Sequence, residues 1–446
     1  MSTTSLILLL LVTVAILLFL VMKVKLHAFI SLLIVSLFMG IMTKMPLGDI
    51  INSMVSGMGG TLGFLATVIG LGAMFGKMLE ISGGAEKLAR TFLKSFGEDK
   101  APWAMLIAGF LVSIPVFFDV GFIILVPLVY ALAKSSKKSV LIYGIPLLAG
   151  LAVTHAFVPP TPGPIMVAEL VGADLGKVIL YGIICGIPAA IVAGPIWGNH
   201  IGGKIMAEVP EYMDIDNNVI DAKEHELPGF GTIMFLIIFP ILLILLNTAT
   251  TAALPEGNTM RTIFSFIGHP IVALIIACLL SFIILGRFKG LTMDEIQSVS
   301  NAALNSTGII ILVTGAGGVF KQVLVDSGIG DAVGKSFATL SLSPLILAFI
   351  IAVVVRISAG SATVSMATAA AIVAPIIEGS TVEPALIVIA IAAGATAFSH
   401  VNDSGFWLVN RYFGISTKDT LRSWTVMETL IGIVGLIMAL ILSLIV

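Results

Sequence analysis

The hydrophobic residues of this chain occur in long blocks, and polar residues gather mainly at the ends of those blocks. Runs such as LILLLLVTVAILLFLV and IGIVGLIMALILSLIV contain almost no polar side chain. About 20 consecutive apolar residues form a helix that crosses a bilayer, whereas membrane β-strands show segments of about ten residues with alternating polarity, which this sequence lacks. Helices also satisfy their own backbone hydrogen bonds in hydrocarbon. The pattern predicts an all-α polytopic membrane protein. The first run lacks the basic segment and cleavage site of a signal peptide and is interpreted as a retained span.

The blocks predict two halves joined by a polar linker. Residues 1–206 form the first half, with spans at about 5–22, 26–43, 61–80, 139–170 and 179–199 and a hairpin at 103–133. Residues 230–446 form the second half, with spans at about 230–249, 269–286, 302–325, 384–410 and 424–446 and a hairpin at 344–375. The acidic segment 207–229 is predicted to be a cytoplasmic linker. Spans 139–170 and 384–410 and both hairpins are interrupted by glycine, proline or polar residues.

The two halves resemble each other in sequence. When the chain is shifted by 245 residues, eleven of 35 positions are identical between segments 49–83 and 294–328, against about three expected by chance. The same shift aligns His155 with His400. Because each half holds an odd number of spans, five, the halves are predicted to be inverted repeats.

Length and charge both favour re-entrant hairpins. Arms of about 13 residues reach only about 20 Å as helix, less than the bilayer core of about 30 Å. With both hairpins returning to the side they entered, sixteen Lys and Arg residues lie in loops on one side and four on the other. Cytoplasmic loops carry such an excess of positive charge. The predicted fold is therefore two inverted repeats, each of about five transmembrane helices and one re-entrant helical hairpin.

Composition excludes several classes of function. The chain is 58% hydrophobic and 11% charged with a net charge of −2, and it has no basic tract, which excludes nucleic-acid binding. Its two cysteines lie in apolar runs, with no spacing typical of a disulfide framework or a metal site. No phosphate-binding loop and no HExxH motif occur. We therefore expect neither a metal nor another cofactor.

Four interruptions, PVFFDVG, RISAGSATVS, THAFVPPTPGP and SHVNDSG, are predicted to meet near the bilayer centre. A charge at that depth costs about 2.5 to 3.5 kcal/mol. Keeping Asp119, Arg356 and Asp403 there indicates a use for each of them. We predict that the broken helices line a binding site, as in secondary transporters.

The RISAGSATVS tip is predicted to bind a carboxylate. Arg356 stands beside Gly360, and a guanidinium near glycine-exposed amides and a helix N-terminus suits a carboxylate. Ser361 and Thr363 could donate to the same carboxylate or to hydroxyls. The alternative is that Arg356 snorkels or forms a structural ion pair with a neighbouring acid.

A second group of residues is predicted to bind hydroxyl groups. Asn402, Asp403 and Ser404 offer mixed donors and acceptors, and Thr161 is available in the PPTPGP break. The alternative for SHVNDSG is a helix cap with interhelical hydrogen bonds.

Several residues are candidates for carrying a proton. Asp119 is a carboxylate in an apolar setting, and His155 and His400 titrate in the physiological range. His155 is also a candidate substrate ligand, and Asp403 a candidate proton carrier. The alternatives are that Asp119 caps the hairpin tip and that both histidines are structural.

Seven motifs together resemble the gluconate permease family of bacterial proton symporters, nearly from end to end. They are GGTLGFLA, GAMFGKMLE, FFDVGF, THAFVPPTPGP, GAGGVFKQVLVDSG, RISAGSATVSMATA and FSHVNDSGFWLVNRYF. The resemblance implies proton-coupled uptake of gluconate or a similar sugar acid across the bacterial inner membrane. It also implies a dimer with scaffold and transport domains that works as an elevator. D-Serine permeases of the family typically lack both an Arg at the position of Arg356 and the SHVND pattern, so the resemblance favours the sugar-acid branch. Many sugar-acid relatives carry Glu at the position of Asp119.

The resulting hypothesis is a secondary transporter for a polyhydroxy monocarboxylic acid. Alternatives in the same class are permeases for idonate, fructuronate, glycerate or D-serine. A passive channel and an intramembrane enzyme are alternatives from other classes, although no catalytic pair supports an enzyme. The sequence leaves proton and sodium coupling both open.

Overall fold

A computed structural model describes residues 2–210, 227–329, 343–377, 380–401 and 403–446. Their regular structure is entirely helical. The first half contains α1 (Thr3–Met22), α2 (Ala28–Met42), α3 (Leu47–Ile81), α4 (Gly84–Phe96), α5 (Ala101–Val112), α6 (Phe118–Ser136), α7 (Val140–Phe157), α8 (Pro162–Val171) and α9 (Leu175–Gly202).

The described part of the second half is also helical. It contains α10 (Phe230–Ala253), α11 (Thr259–Ile267), α12 (Pro270–Gly286), α13 (Met293–Asp326), α14 (Pro344–Ala359), α15 (Ala362–Val373), α16 (Pro384–Thr396), α17 (Ser404–Phe413) and α18 (Thr417–Leu442). Most of the predicted linker, residues 211–226, lies outside the described residues.

Within the described ranges, seven helices are long and apolar enough to cross a membrane: α3, α6, α7 with α8, α9, α10, the 307–326 part of α13, and α18. The pair α11 and α12, bent by 61°, gives an eighth if it forms one span. Helix α1 covers predicted span 5–22, whereas the apolar helices in predicted spans 26–43 and 384–410 are shorter than this criterion requires. The structure therefore supports a polytopic helical protein with fewer clear spans than the ten predicted.

Two differences from the predicted elements have physical causes. Helix α3 begins at Leu47, well before the predicted span 61–80, because the preceding segment packs against α13 instead of forming a separate connector. Helix α6 has 19 residues and reaches about 28 Å. The length argument for a re-entrant hairpin is therefore wrong for this arm.

Glycines allow the longest helices of the two halves to cross closely. A Cβ atom added at Gly57 of α3 would lie 2.6 Å from the carbonyl oxygen of Gly318 on α13, and one added at Gly318 would lie 2.6 Å from that of Gly57. At the end of the same pair of helices, Ser53 donates a hydrogen bond of 2.6 Å to Asp326. Small residues at a crossing bring backbones together in membrane helix pairs.

Equivalent glycine contacts place the helices around the breaks. Gly109 of α5 lies against the Leu147 carbonyl of α7, and Gly394 of α16 lies against the Phe349 carbonyl of α14. Gly76 of α3 faces the carbonyl of Pro115 in the loop between α5 and α6. The first hairpin tip is thereby held against α3.

The broken helices form the centre of the molecule. Helices α7 and α8 are almost entirely buried, and every residue of α16 after its first proline is buried. The chain between α7 and α8 is therefore enclosed by other helices and not by lipid, whereas Phe398 and Val401, between α16 and α17, are exposed. Irregular backbone at membrane depth is tolerated only in such places or beside a cavity.

Candidate functional site

A cavity of about 410 Å³ lies where interruptions from both halves meet. Its walls come from α3, the start of α6, the end of α7, α13, the tip between α14 and α15, the start of α17, and α18. Pockets of about 300 to 1,000 Å³ bind small molecules in proteins. The cavity is therefore large enough for a small organic ligand.

The tip between α14 and α15 carries Arg356 into this cavity. Arg356 is only 2% exposed. One of its terminal nitrogens donates to the carbonyl of Gly360, and the other lies 2.5 Å from Oδ2 of Asp403. Gly360 adopts φ +77°, which L side chains rarely adopt, and so turns the chain between the two helices. The guanidinium is held from both sides by the chain itself.

Asp403 organises the second break. Its Oδ2 also accepts a hydrogen bond of 2.5 Å from the Ser399 hydroxyl, and its Oδ1 accepts one of 3.0 Å from the backbone N–H of Gly405. The indole of Trp424 donates to Ser399 at 2.7 Å. Both oxygens of Asp403 are therefore used within the protein, and the carboxylate fixes Arg356 and the start of α17.

Three helix N-termini line the cavity. Phe118 and Asp119 begin α6, Thr363 lies in the first turn of α15, and Ser404 begins α17. Ser361 caps α15 and also lines the cavity. The positive end of a helix dipole and its unpaired N–H groups favour an anion. Together with Arg356, these termini make part of the cavity wall suitable for a carboxylate.

Two further carboxylates face the cavity. Asp119 is solvent-accessible, and Glu428 of α18 is only 3% exposed. Glu428 Oε1 has no hydrogen-bond partner among the residues that the structure describes. The sequence pattern did not indicate Glu428 as a site residue, because VMETLIGIVG is typical of the polar start of a final span. A lone acid within an apolar run was the available signal.

Unpartnered buried polar atoms concentrate around this cavity. Among the described side chains they are Thr154 Oγ1, His155 Nδ1, Arg356 Nε, Thr425 Oγ1 and Glu428 Oε1. Three of these residues line the cavity, and the two threonines are sequence neighbours of lining residues. A buried polar atom without a partner costs about 1 to 3 kcal/mol. Their concentration indicates a place for a polar ligand.

The predicted residues separate into three groups. Those that line the cavity are Asp119, His155, Arg356, Ser361, Thr363, Asp403 and Ser404, and Gly360 contacts Arg356 from behind. Thr161 lies outside the cavity lining and donates to the Val158 carbonyl at 2.8 Å, and His400 contacts the Ile357 carbonyl at 3.2 Å. Asn402 lies outside the described residues.

In the described ranges no group of three or more His, Cys, Asp or Glu side chains is arranged to hold a metal ion. Lys77 and Glu80, at another part of the cavity wall, form an ion pair of 2.5 Å. Arg356 and the three helix N-termini are therefore the features of the cavity that suit a small anion.

Comparison with known proteins agrees with these features. Residues 5–445 match the family described as GntP family permease. The gluconate permease of Pseudomonas aeruginosa is 42% identical, with 98% of this chain and 97% of the relative covered. The low-affinity gluconate transporter of Escherichia coli K12 is 42% identical, with 99% of each covered. The Gnt-II system L-idonate transporter of the same bacterium is 40% identical, with 95% and 96% covered.

Two solved transporters share the fold. The YdaH transporter of Alcanivorax borkumensis matches with a TM-score of 0.63, covering 89% of each chain. MtrF of Neisseria gonorrhoeae, which is described with a class of antimetabolite efflux pumps, matches with a TM-score of 0.66, covering 89% of this chain and 85% of its own. Both are 13% identical to this chain, so the likeness concerns the fold alone. The family and its relatives are transporters and not enzymes. The chain belongs to the GntP family of permeases, which are multi-pass proteins of the bacterial inner membrane.

Proposed function

We propose that this protein takes up gluconate or a closely related sugar acid together with protons. The observation that carries the proposal is the cavity wall, where a buried arginine and three helix N-termini face a volume of about 410 Å³. Relatives at about 40% identity that are named for gluconate and L-idonate support a sugar acid as the substrate.

Arg356 binds the carboxylate of the substrate in this proposal. Its Nε has no partner in the described part of the chain, so the guanidinium can donate to a ligand while Asp403 and Gly360 hold it. Arg presents a rigid fork of donors that suits carboxylates. The structural ion pair that was the alternative for Arg356 is present, and it positions the same group that binds substrate.

Hydroxyl groups of the substrate contact the helix starts. Ser361, Thr363 and Ser404 line the cavity and can each donate and accept. Asn402, next to Asp403 in sequence, remains a proposed ligand. We assign no role to Thr161 or His400, because neither lines the cavity.

Charge supports proton coupling. Apart from the Lys77 and Glu80 pair, the cavity lining holds one arginine and the three acids Asp119, Asp403 and Glu428. At 4 Å and an effective dielectric constant of about 20, two unit charges interact by about 4 kcal/mol. With all three acids ionised the lining repels an anion, so protons that neutralise acids favour binding of the sugar acid.

Transport proceeds by alternating access in an elevator-type movement. The two hairpins and two broken helices form the moving unit, and inverted repeats provide its two states. Glycine contacts at corresponding helix pairs, α5 with α7 and α14 with α16, and the likeness to solved transporters support this part of the proposal. We further propose a homodimer.

The test is uptake of labelled gluconate into proteoliposomes with an imposed inside-alkaline pH difference. We expect saturable accumulation that an uncoupler abolishes and that Arg356→Ala removes. Arg287→Ala, which alters an exposed arginine directly after α12, is the matched control and retains uptake. Unchanged uptake by the Arg356 variant refutes the assignment of the site.

The same assay separates the alternatives. Conductance without saturation identifies a channel, and a sodium requirement replaces proton coupling. Competition by unlabelled idonate, fructuronate, glycerate or D-serine ranks the substrates. Recovery of chemically altered gluconate from the vesicles identifies an enzyme.

A further inference from the structure

Glu428 is a buried acid that faces the cavity and has an unused oxygen. It lies eleven residues after the first residue of α18, about 16 Å along the helix axis. Its side chain lines the cavity with 3% exposure, and Oε1 accepts no hydrogen bond from the described protein atoms. An ionisable group at such a place is costly and indicates function.

The charged neighbours of Glu428 belong to the binding site. Arg356 and Asp403 are the two groups within electrostatic range of it. Helix α16, which packs against α18, carries no titratable residue in Pro384–Thr396. Helix α9 also packs there and carries Lys177, Tyr181, Cys185 and His200, none of which lines the cavity. Helix α7 packs there as well; of its Tyr143 and His155, only His155 lines the cavity. The titratable or charged residues that share the cavity with Glu428 are Lys77, Glu80, Asp119, His155, Arg356 and Asp403.

The other acids and the histidine are less suited to carry a proton linked to substrate. Both oxygens of Asp403 accept hydrogen bonds within the protein. Asp119 is more exposed than Glu428, and its charged neighbour is Asp403 and not Arg356. His155 packs edge-on against the ring of Phe117, and the hydrogen bonds of Arg356 go to Gly360 and Asp403. Glu428 is buried, has an oxygen without a hydrogen-bond partner among the described residues, and interacts electrostatically with Arg356.

We propose that Glu428 is the proton-binding residue that couples the proton to the substrate. This inference rests on the proposed function. An ionised Glu428 competes with the carboxylate of the sugar acid for the field of Arg356, whereas a protonated Glu428 does not. The proton comes from water on the outer side, binds a carboxylate oxygen of Glu428, and leaves to water on the inner side after the substrate has dissociated. No other bond forms or breaks.

The first test compares two transport modes in proteoliposomes. Glu428→Gln is a permanent neutral substitute for the protonated acid. We expect it to retain exchange of labelled for unlabelled gluconate across the membrane, since exchange needs no net proton movement. Under a pH difference, the inside concentration of gluconate reaches only the outside concentration with this variant. With the unaltered protein, the ratio of inside to outside gluconate rises about tenfold for each pH unit per coupled proton. Glu428→Asp restores part of the driven uptake.

The outcomes of this test are distinct. Driven accumulation by Glu428→Gln with unaltered pH dependence overturns the proposal and leaves the proposed function in place. Loss of both modes in a variant with unaltered thermal unfolding also overturns it, because Glu428 then serves substrate binding. Glu256→Gln, which changes a glutamate that is 93% exposed, is the matched control and behaves as the unaltered protein.

The second test does not depend on gluconate. Infrared difference spectra of the purified protein between acidic and alkaline pH report the carbonyl stretch of protonated carboxyl groups. We expect one such band to disappear in Glu428→Gln and to persist in Glu256→Gln. An identical set of bands in all three proteins overturns the proposal even if gluconate proves not to be the substrate. Absence of gluconate transport by the unaltered protein refutes the proposed function separately.

Discussion

Removing the charge of Asp403 should strongly destabilise the protein through Arg356. Asp403→Asn keeps the size of the side chain, and its amide oxygen can still accept from the Gly405 N–H, which is 3.0 Å from Oδ1. The change therefore preserves the start of α17. What it removes is the negative charge 2.5 Å from the guanidinium of Arg356.

The size of the expected destabilisation follows from the burial of Arg356 and Asp403. Side-chain exposure of the pair is 2% for Arg356 and 11% for Asp403, so neither charge is well hydrated in the folded state. Breaking a buried pair by removing one partner costs about 3 to 5 kcal/mol. We expect a loss of this size for Asp403→Asn, with Arg356 still held by the Gly360 carbonyl. Arg356→Gln, which leaves Asp403 as the unpaired charge, should cost a similar amount.

A double-mutant cycle tests this reasoning. The free energy of unfolding is measured in detergent micelles by titration with dodecyl sulfate, followed by tryptophan fluorescence. The double variant Arg356→Gln with Asp403→Asn should lose less than the sum of the single losses, by about 1 to 3 kcal/mol. Arg287→Gln, at an exposed position, should change stability by less than about 0.5 kcal/mol. Additivity of the two single losses within about 0.5 kcal/mol refutes the buried pair.

Two further predictions concern helix packing and pH. Gly57→Ala should destabilise the protein by about 1 to 3 kcal/mol, because its Cβ would meet the α13 backbone. Gly60→Ala, at a glycine with open space around it, should be neutral or stabilising. Equal thermal unfolding of the two variants contradicts the close crossing. Hydrogen bonds from the backbone N–H and hydroxyl of Thr292 lower the pKa of Glu295 in the folded protein. The α13 N-terminus should therefore be stabilised above the unfolded pKa of about 4.3. This stabilisation is lost as the pH falls through the lowered folded pKa. Amide hydrogen exchange at the α13 N-terminus measures this stabilisation. Protection should weaken in acid, and Glu295→Gln should remove the pH dependence. Protection that does not depend on pH in the unaltered protein contradicts the prediction.

The sequence located the helix breaks because their residues are poor helix formers in an apolar setting. Helix α14 ends at Ala359 and α15 begins at Ala362, within RISAGSATVS. Helix α7 ends at Phe157 within THAFVPPTPGP. Glycine, proline and clustered polar residues are rare enough in apolar runs to mark such positions. The convergence on one cavity of the two hairpin tips, the end of α7 and the start of α17 follows the prediction made from these motifs.

Features that depend on packing between distant segments were harder to predict. The start of α3 at Leu47 requires the contact of Gly57 with α13, which no local pattern reveals. Thr161 was predicted to face a ligand, but its hydroxyl bonds to the local backbone. Glu428 has an apolar residue, Ile183, at the aligned repeat position. Repeat matching therefore gave no reason to select it.

Under the proposed proton coupling, the number of acids around the cavity also determines how the membrane voltage acts on transport. Arg356 and Asp403 cancel, so Asp119 and Glu428 remain as acids that can each take a proton. A monoanion that crosses with one proton moves no net charge, and only the pH difference drives it. With two protons one positive charge crosses, and 100 mV adds about 2.3 kcal/mol, or roughly 50-fold in accumulation. A single carboxylate in this cavity thus separates an electroneutral transporter from one that a voltage can drive.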